Sequence, residues 1–139
     1  MAAAAAPEPG ALPVRSGEKP WTEAEIEKIR KELRAEVAGL RADIAAAESG
    51  IAERLGDAVG DAGDDQADAG AKTFQREHEL ALTENQRTLL ETSERALARI
   101  ENGTYGRCES CGQPIGKARL QAFPRATLCV TCKQREERR

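Results

Sequence analysis

The chain has 139 residues, the size of one domain with short tails, and its 21 basic and 24 acidic side chains give a net charge of −3. Such a chain is excluded as a general binder of duplex nucleic acid. Aromatic residues make up 3% and charged residues 32%, and 25 residues are alanines, so the composition excludes a thick globular core and favours long paired helices.

The first twenty residues are rich in Ala, Pro and Gly and show no hydrophobic period. We therefore predict a disordered arm over residues 1–20. No charged residue precedes the alanines, and Pro7 and Pro9 follow them, so this arm does not have the pattern of a secretory signal. No apolar run reaches about 18 residues, so the sequence predicts a cytoplasmic protein without a membrane span.

Residues 21–56 are predicted to form one long helix. Thr22 and Glu25 have the spacing of a capping box, in which two side chains satisfy free amides at the helix start. Apolar residues then recur at steps of three and four, which is typical of a coiled-coil seam. The predicted seam residues are Ile26, Ile29, Leu33, Val37, Leu40, Ile44, Ala47, Ile51 and Leu55.

The seam pattern breaks at residues 56–71, where four glycines and five aspartates occur without a lysine or arginine. We predict an acidic turn near residues 57–70, with the second helix starting near Asp64 or Asp65, because Asp is a good N-cap. The returning helix is predicted over about residues 66–102, with a stop at Asn102-Gly103. Its predicted seam contains Phe74, His78, Leu82, Leu89, Ala96 and Ile100.

Two helices of nearly equal length predict a mainly α fold with a long antiparallel coiled-coil hairpin over residues 21–103. The acidic tip then lies at the far end from the cysteines. Trp21 and Tyr105 are expected to pack where the hairpin meets the C-terminal segment, since both flank the hairpin in sequence. An intramolecular hairpin also predicts a monomer.

Four cysteines follow the hairpin in the pattern C-x2-C-x17-C-x2-C, which lies within the range of zinc sites. Two residues between cysteines allow a tight turn that aims both sulfurs at one ion, and Gly112 suits such a turn because it tolerates positive φ. Four thiolates complete a tetrahedral Zn²⁺ site and leave no position for water, so we predict one structural zinc ion. The predicted ligands are Cys108, Cys111, Cys129 and Cys132.

Two disulfides or an iron–sulfur centre are the alternatives to zinc, and a reducing cytoplasm disfavours the disulfides. Residues 104–139 are thus predicted to form a zinc finger with a basic C-terminal helix. No catalytic constellation accompanies it: the single histidine, His78, lies at a predicted seam position, and Ser110 has no paired base. The sequence therefore predicts a protein that is not an enzyme.

One run in the finger carries a family resemblance: Tyr105-Gly-Arg-Cys108-Glu-Ser-Cys111-Gly-Gln-Pro-Ile115-Gly116. With the later Leu128-Cys129 and Cys132-Lys133, it resembles the finger of the DksA/TraR family of RNA polymerase-binding regulators. The hairpin extends the resemblance over about residues 21–135. It implies a transcription regulator that binds RNA polymerase directly and inserts its coiled-coil tip into the secondary channel to modulate initiation, without sequence-specific DNA binding.

The tip of this family carries an Asp-x-x-Asp-x-Ala motif. Counted back from Cys108 without gaps, the motif falls on Asp65 and Asp68, with Gly70 in place of the family's alanine. The resemblance therefore implies a partner-binding tip at these three residues.

The family also has a basic cluster that helps to hold the alarmone ppGpp. On the same register Lys133 matches one basic position, whereas Thr92 and Phe123 stand where two others would be basic. The resemblance thus predicts a weak response to ppGpp.

Two other functions fit the same pattern. Residues 103–139 contain eight basic and three acidic side chains, so a zinc ribbon on a coiled-coil dimerisation stalk could bind nucleic acid electrostatically. The hairpin could instead belong to an adaptor that docks another protein. A dimer with salt-dependent nucleic-acid binding would distinguish the first of these from a polymerase-binding monomer.

Overall fold

The computed structural model describes residues 8–60 and 66–138, except for the side chains of residues 54–60 and 66–68. The described chain contains a 3₁₀ turn at Pro9–Ala11 and four α-helices: α1 (Glu23–Gly60), α2 (Gln66–Asn102), α3 (Lys117–Ala122) and α4 (Val130–Glu137). They form two compact units, one made of the chain up to Glu36 with the chain from Thr92 onward, the other of Val37–Glu91. No helix in the described ranges is both long and apolar enough to cross a membrane.

The two long helices begin and end at signals present in the sequence. The Thr22 amide donates to Glu25 Oε1 at 3.0 Å and the Glu25 amide donates to Thr22 Oγ1 at 3.2 Å, so the predicted capping box is confirmed. Helix α2 ends at Asn102, and Gly103 follows with φ at 80°, as the predicted stop requires. Helix α1 runs four residues further than predicted, to Gly60, because a single glycine such as Gly56 weakens a helix by only about 1 kcal/mol.

In the unit Val37–Glu91 the predicted seam of α1 is confirmed, whereas that of α2 is wrong. Val37, Ile44 and Ile51 are buried and Leu40 and Ala47 are half-buried, while the side chain of Leu55 lies outside the described residues. On α2, however, His78 is exposed, and the large apolar residues of the predicted seam are exposed as well: Phe74 by 73%, Leu82 by 51% and Leu89 by 37%.

The buried side of α2 in this unit carries Thr83 instead, with Gln86 and Leu90 half-buried. The Thr83 hydroxyl donates to the Glu79 carbonyl at 2.9 Å, so its burial leaves no hydroxyl unsatisfied. The steps between these buried positions alternate between three and four, which keeps them on one face. His78, Leu82 and Leu89 each come one residue, or about 100°, before one of the buried or half-buried positions Glu79, Thr83 and Leu90. They therefore lie beside the seam and not in it.

The other unit joins the base of the helices to the finger through one apolar core. Trp21 and Tyr105 lie in it at 2% and 1% exposure with ring centroids 6.3 Å apart, which confirms their predicted packing. The core residues are Leu12, Trp21, Ile26, Ile29, Leu33, Ala96, Ile100, Tyr105, Cys108, Ile115, Leu120 and Cys132. Beside this core, Arg30 Nε of α1 lies 3.3 Å from Glu101 Oε1 of α2. The start of α1 is thus next to the end of α2, so the two helices are antiparallel here.

The N-terminal segment corrects the prediction of a disordered arm for residues 8–20, while residues 1–7 lie outside the described residues. Leu12 is 4% exposed within the core, and Val14 packs against it. The Glu18 carboxylate accepts hydrogen bonds from the amides of Arg15 at 2.7 Å and Lys117 at 2.8 Å. Tertiary burial of two apolar side chains and these bonds order a segment that has no hydrophobic period of its own.

We expect Leu12→Ala to lower the free energy of unfolding by about 2–4 kcal/mol, because it removes a buried side chain from a shared core. Urea unfolding followed by the fluorescence of Trp21, the single tryptophan, measures the change. Leu80→Ala is the control, since Leu80 is 49% exposed. An equal and small effect of both substitutions would contradict the packing of this segment.

Candidate metal centre

The first cysteine pair lies in a tight turn between a short backbone bridge and the core. The Cys108 amide donates to the Gln113 carbonyl at 2.8 Å, and the Gly112 amide donates to the Cys108 carbonyl at 3.0 Å. Gly112 has φ at 75°, so the glycine predicted to turn the chain after Cys111 does so. The turn brings the thiols of Cys108 and Cys111 to one side.

The second cysteine pair lies at the start of α4, the predicted C-terminal helix. Cys129 is the N-cap residue, and its Sγ accepts a hydrogen bond from the Cys132 amide at 3.5 Å. The start of α4 thus holds the sulfurs of the second pair close together.

The four sulfurs converge on one point. All four Sγ atoms lie within 4.8 Å of one another, and those of Cys111 and Cys129 are 3.8 Å apart. Four thiolates at the usual zinc–sulfur distance would have sulfurs about 3.8 Å apart in a tetrahedron. All four cysteines are free thiols rather than disulfides. The cluster thus fits one structural Zn²⁺ held by Cys108, Cys111, Cys129 and Cys132.

Four thiolates this close together repel one another unless a cation lies between them. Burial raises the pKa of Cys108, but hydrogen bonds from the backbone amides of Cys111, Cys129 and Ser110 outweigh it and bring this pKa to about 6. For Cys132 the Ser110 hydroxyl lowers the pKa, yet the neighbouring Cys129 thiol and burial raise it to about 12. Crowded sulfurs cannot all ionise alone, and a divalent ion supplies the missing positive charge.

The four cysteines leave no open coordination position at this centre, although they differ in exposure. Cys108 and Cys132 are buried, Cys129 is half-buried and Cys111 is exposed. Four sulfur ligands fill a tetrahedral sphere and leave no coordination position for a substrate or water. The ion therefore has a structural role, which is to fold a short segment onto the core that contains Cys108 and Cys132.

A polar clamp that the sequence did not reveal holds α3 to the start of α1. Lys117 Nζ lies 2.7 Å from Glu25 Oε1 and 5.3 Å from the Trp21 ring centroid, and Gln121 Nε2 donates to Glu25 Oε2 at 3.1 Å. Glu18 accepts the Lys117 amide at 2.8 Å. Glu25 could be found as a capping residue, but no local signal pairs it with a lysine 92 residues away.

We expect the clamp to be visible in the titration of Glu25. The Lys117 ammonium, followed by the Thr22 amide, lowers the pKa of this carboxyl from 4.5 to about 2. Because the folded pKa is depressed, the stabilisation is present above pH 4.5 and is lost as the pH falls towards 2. In Lys117→Met the Glu25 pKa, measured by NMR, should rise towards 4.5. Lys133→Met should leave it unchanged, and a rise in that control instead would contradict the assignment.

Two basic side chains of the finger pair with acids of α1: Arg125 with Glu36, and Lys117 Nζ with Glu25 Oε1 at 2.7 Å. The local positive charge counted from the sequence is thus partly neutralised by α1. This arrangement weakens the case for a continuous nucleic-acid surface.

The structure does not test the predicted tip residues. Asp65 lies outside the described residues, and Asp68 lies in the first turn of α2 without a described side chain. Gly70 is an exposed helical residue, and a Cβ built on it would meet no atom within 4 Å. The tip therefore stays a prediction from the family resemblance.

A four-cysteine zinc finger folded onto the base of two long antiparallel helices defines a class of small helical zinc-finger proteins. The family model described as the prokaryotic dksA/traR C4-type zinc finger matches residues 103–138. The solved structure of transcription factor DksA2 from Pseudomonas aeruginosa is similar, with a TM-score of 0.66 and 33% identity over 84% of this chain and 85% of that one. The chain belongs to the DksA/TraR family.

Two curated relatives match a shorter stretch. The RNA polymerase-binding transcription factor DksA of Caulobacter vibrioides is 49% identical over 61 residues, which cover 44% of this chain and 43% of that protein. The RNA polymerase-binding transcription factor DksA of Escherichia coli K12 is 44% identical over 55 residues, which cover 40% of this chain and 36% of that protein. The match thus spans less than half the length of either curated relative.

Proposed function

We propose that this protein is a transcription regulator that binds RNA polymerase directly and inserts the tip of its helix pair into the secondary channel to modulate initiation. A closed four-thiol centre at the base of paired helices carries this proposal. The likeness to a DksA2 structure at 33% identity supports it. The curated relatives are named for binding RNA polymerase. The protein then acts in the cytoplasm, as a monomer, and without reading a DNA sequence.

In this mechanism the finger and the helices have separate tasks. The zinc-bound finger and its clamp keep the base rigid outside the channel, and α1, with 38 residues, corresponds to about 57 Å of helix. The chemistry remains that of polymerase, because the zinc sphere offers no open position. Asp65 and Asp68, with Gly70 beside them, supply negative charge near the catalytic centre and change the stability of open promoter complexes.

The proposed response to ppGpp is weak. Lys133 and Phe123 are exposed, whereas Thr92 is half-buried, so one cation of the three family positions is present at the surface. The Phe123 ring stands where the family resemblance expects a charge, and a phenyl ring cannot pair with a pyrophosphate as an arginine or lysine does.

Binding of the purified full-length protein to core RNA polymerase, followed by transcription on a promoter with a short-lived open complex, tests the proposal. We expect a complex with one protein per polymerase and a changed yield of transcript. A dimer that binds DNA with steep salt dependence and ignores polymerase would favour the zinc-ribbon alternative instead. Capture of another protein without any polymerase would favour the adaptor.

A further inference from the structure

The outward side of α2 in the unit Val37–Glu91 carries a continuous strip without charge. Its members recur at steps of three and four, so they share one helix face, and all six are exposed. We call this face the uncharged strip, and its residues are Ala71, Phe74, His78, Leu82, Asn85 and Leu89. It contains no Asp, Glu, Lys or Arg in a chain of which 32% is charged.

The strip reverses the usual arrangement of an amphipathic helix. Phe74, Leu82 and Leu89 face solvent, while the buried side of the same segment carries Thr83. Exposing a phenylalanine by 73% while burying a threonine at 2% brings α2 no stability in the isolated chain. Exposed apolar surface of a few hundred Å² in one patch is often functional.

From this strip we infer that α2 docks through Phe74 and Leu82 on an apolar, uncharged part of the polymerase surface. The inference rests on the proposed function. Nucleic acid does not fit the strip, since the strip has no cation to meet a phosphate. An acidic or basic protein surface would lose its hydration on this face without gaining an ion pair.

A second copy of the chain fits less well because the strip is small. Side chains of this size have about 150–250 Å² of surface, so the exposed fractions give the strip roughly 300 Å² of apolar area. A stable complex buries about 800 Å² on each partner. A dimer would need much further surface, whereas a polymerase that encloses the helix pair supplies it from other contacts.

Alanine substitutions on two different sides of α2 test the inference. Leu82 and Leu80 are 51% and 49% exposed, but two residues separate them by about 200° around α2. We expect Phe74→Ala with Leu82→Ala to weaken binding to core polymerase by about tenfold or more, with Leu80→Ala within about twofold of the parent. Circular dichroism checks that both variants keep the helicity of the parent.

The outcomes separate this inference from the proposed function. If the parent protein binds polymerase and the strip variant binds equally well, the docking face is wrong and the proposed function stands. If the parent sediments as a dimer that Leu82→Ala dissociates, the strip's occupant is a second copy and the inference is overturned. If the parent does not bind polymerase at all, the proposed function is wrong, and the inference that rests on it is overturned as well.

Discussion

Cys111→Ser is expected to abolish stoichiometric zinc binding and to unfold the finger while the two long helices remain helical. A hydroxyl does not replace a thiolate as a soft ligand, and three sulfurs leave the ion open to water. Structural zinc contributes about 10–16 kcal/mol of apparent binding energy in small finger peptides, so its loss far exceeds what a short segment can recover from packing. Metal analysis should show that the zinc content falls from one ion per chain to a small fraction of that value.

The helical signal should change little in this variant, because α1 and α2 contain 38 and 37 residues whereas α3 and α4 contain six and eight. Ser110→Ala is the matched control, since it lies in the same turn but keeps all four thiols. This control should retain one zinc. Full zinc occupancy in Cys111→Ser would refute the four-thiolate centre.

Asp68→Asn is expected to abolish the effect on transcription while binding to polymerase stays within about twofold of the parent. The substitution removes one negative charge and nearly preserves shape, so it isolates the electrostatic part of the tip. In the proposed mechanism the base and the helix faces supply affinity, and the carboxylate acts only at the catalytic centre. A purified transcription assay and a binding titration on the same preparation measure the two effects separately.

Asp43→Asn makes the same change of charge at an exposed position on α1 and should leave both measurements unaltered. Gly70→Ala restores the alanine of the family motif, and the added Cβ meets no atom within 4 Å. This variant should bind and act at least as well as the parent, because alanine favours the helix by about 1 kcal/mol. Equal transcriptional activity of Asp68→Asn and the parent would remove Asp68 from the mechanism.

The features that sequence reasoning predicted correctly depend on short-range chemistry. The Thr22–Glu25 capping box, the Asn102-Gly103 stop and the C-x2-C turns are set by residues within a few positions of each other. The sequence also predicted the α1 seam, since its apolar residues recur at steps of three and four, and those whose side chains are described are buried or half-buried. The spacing of the cysteines likewise predicted the metal centre.

The features that sequence reasoning missed depend on partners far away in the chain. Leu12 and Glu18 are ordered by a core and by an α3 amide that no local pattern announces. On α2 hydrophobicity itself misled the prediction, because Phe74 and Leu82 were assigned to the seam while Thr83 occupies it. A threonine whose hydroxyl donates to a carbonyl of its own helix can be buried at little cost. The seam therefore does not require Phe74 or Leu82.

The bond between Glu18 and the Lys117 amide joins residues 99 positions apart. On the ribosome the segment that contains Leu12 and Glu18 emerges well before Lys117 and has no partner on α3 until Lys117 has been made. The helix pair can form early from nearer neighbours, whereas the base must wait for the finger. Metal loading and closure of the base are therefore late steps of biogenesis, and a nascent chain that stalls before Lys117 leaves Leu12 and Trp21 without their cover.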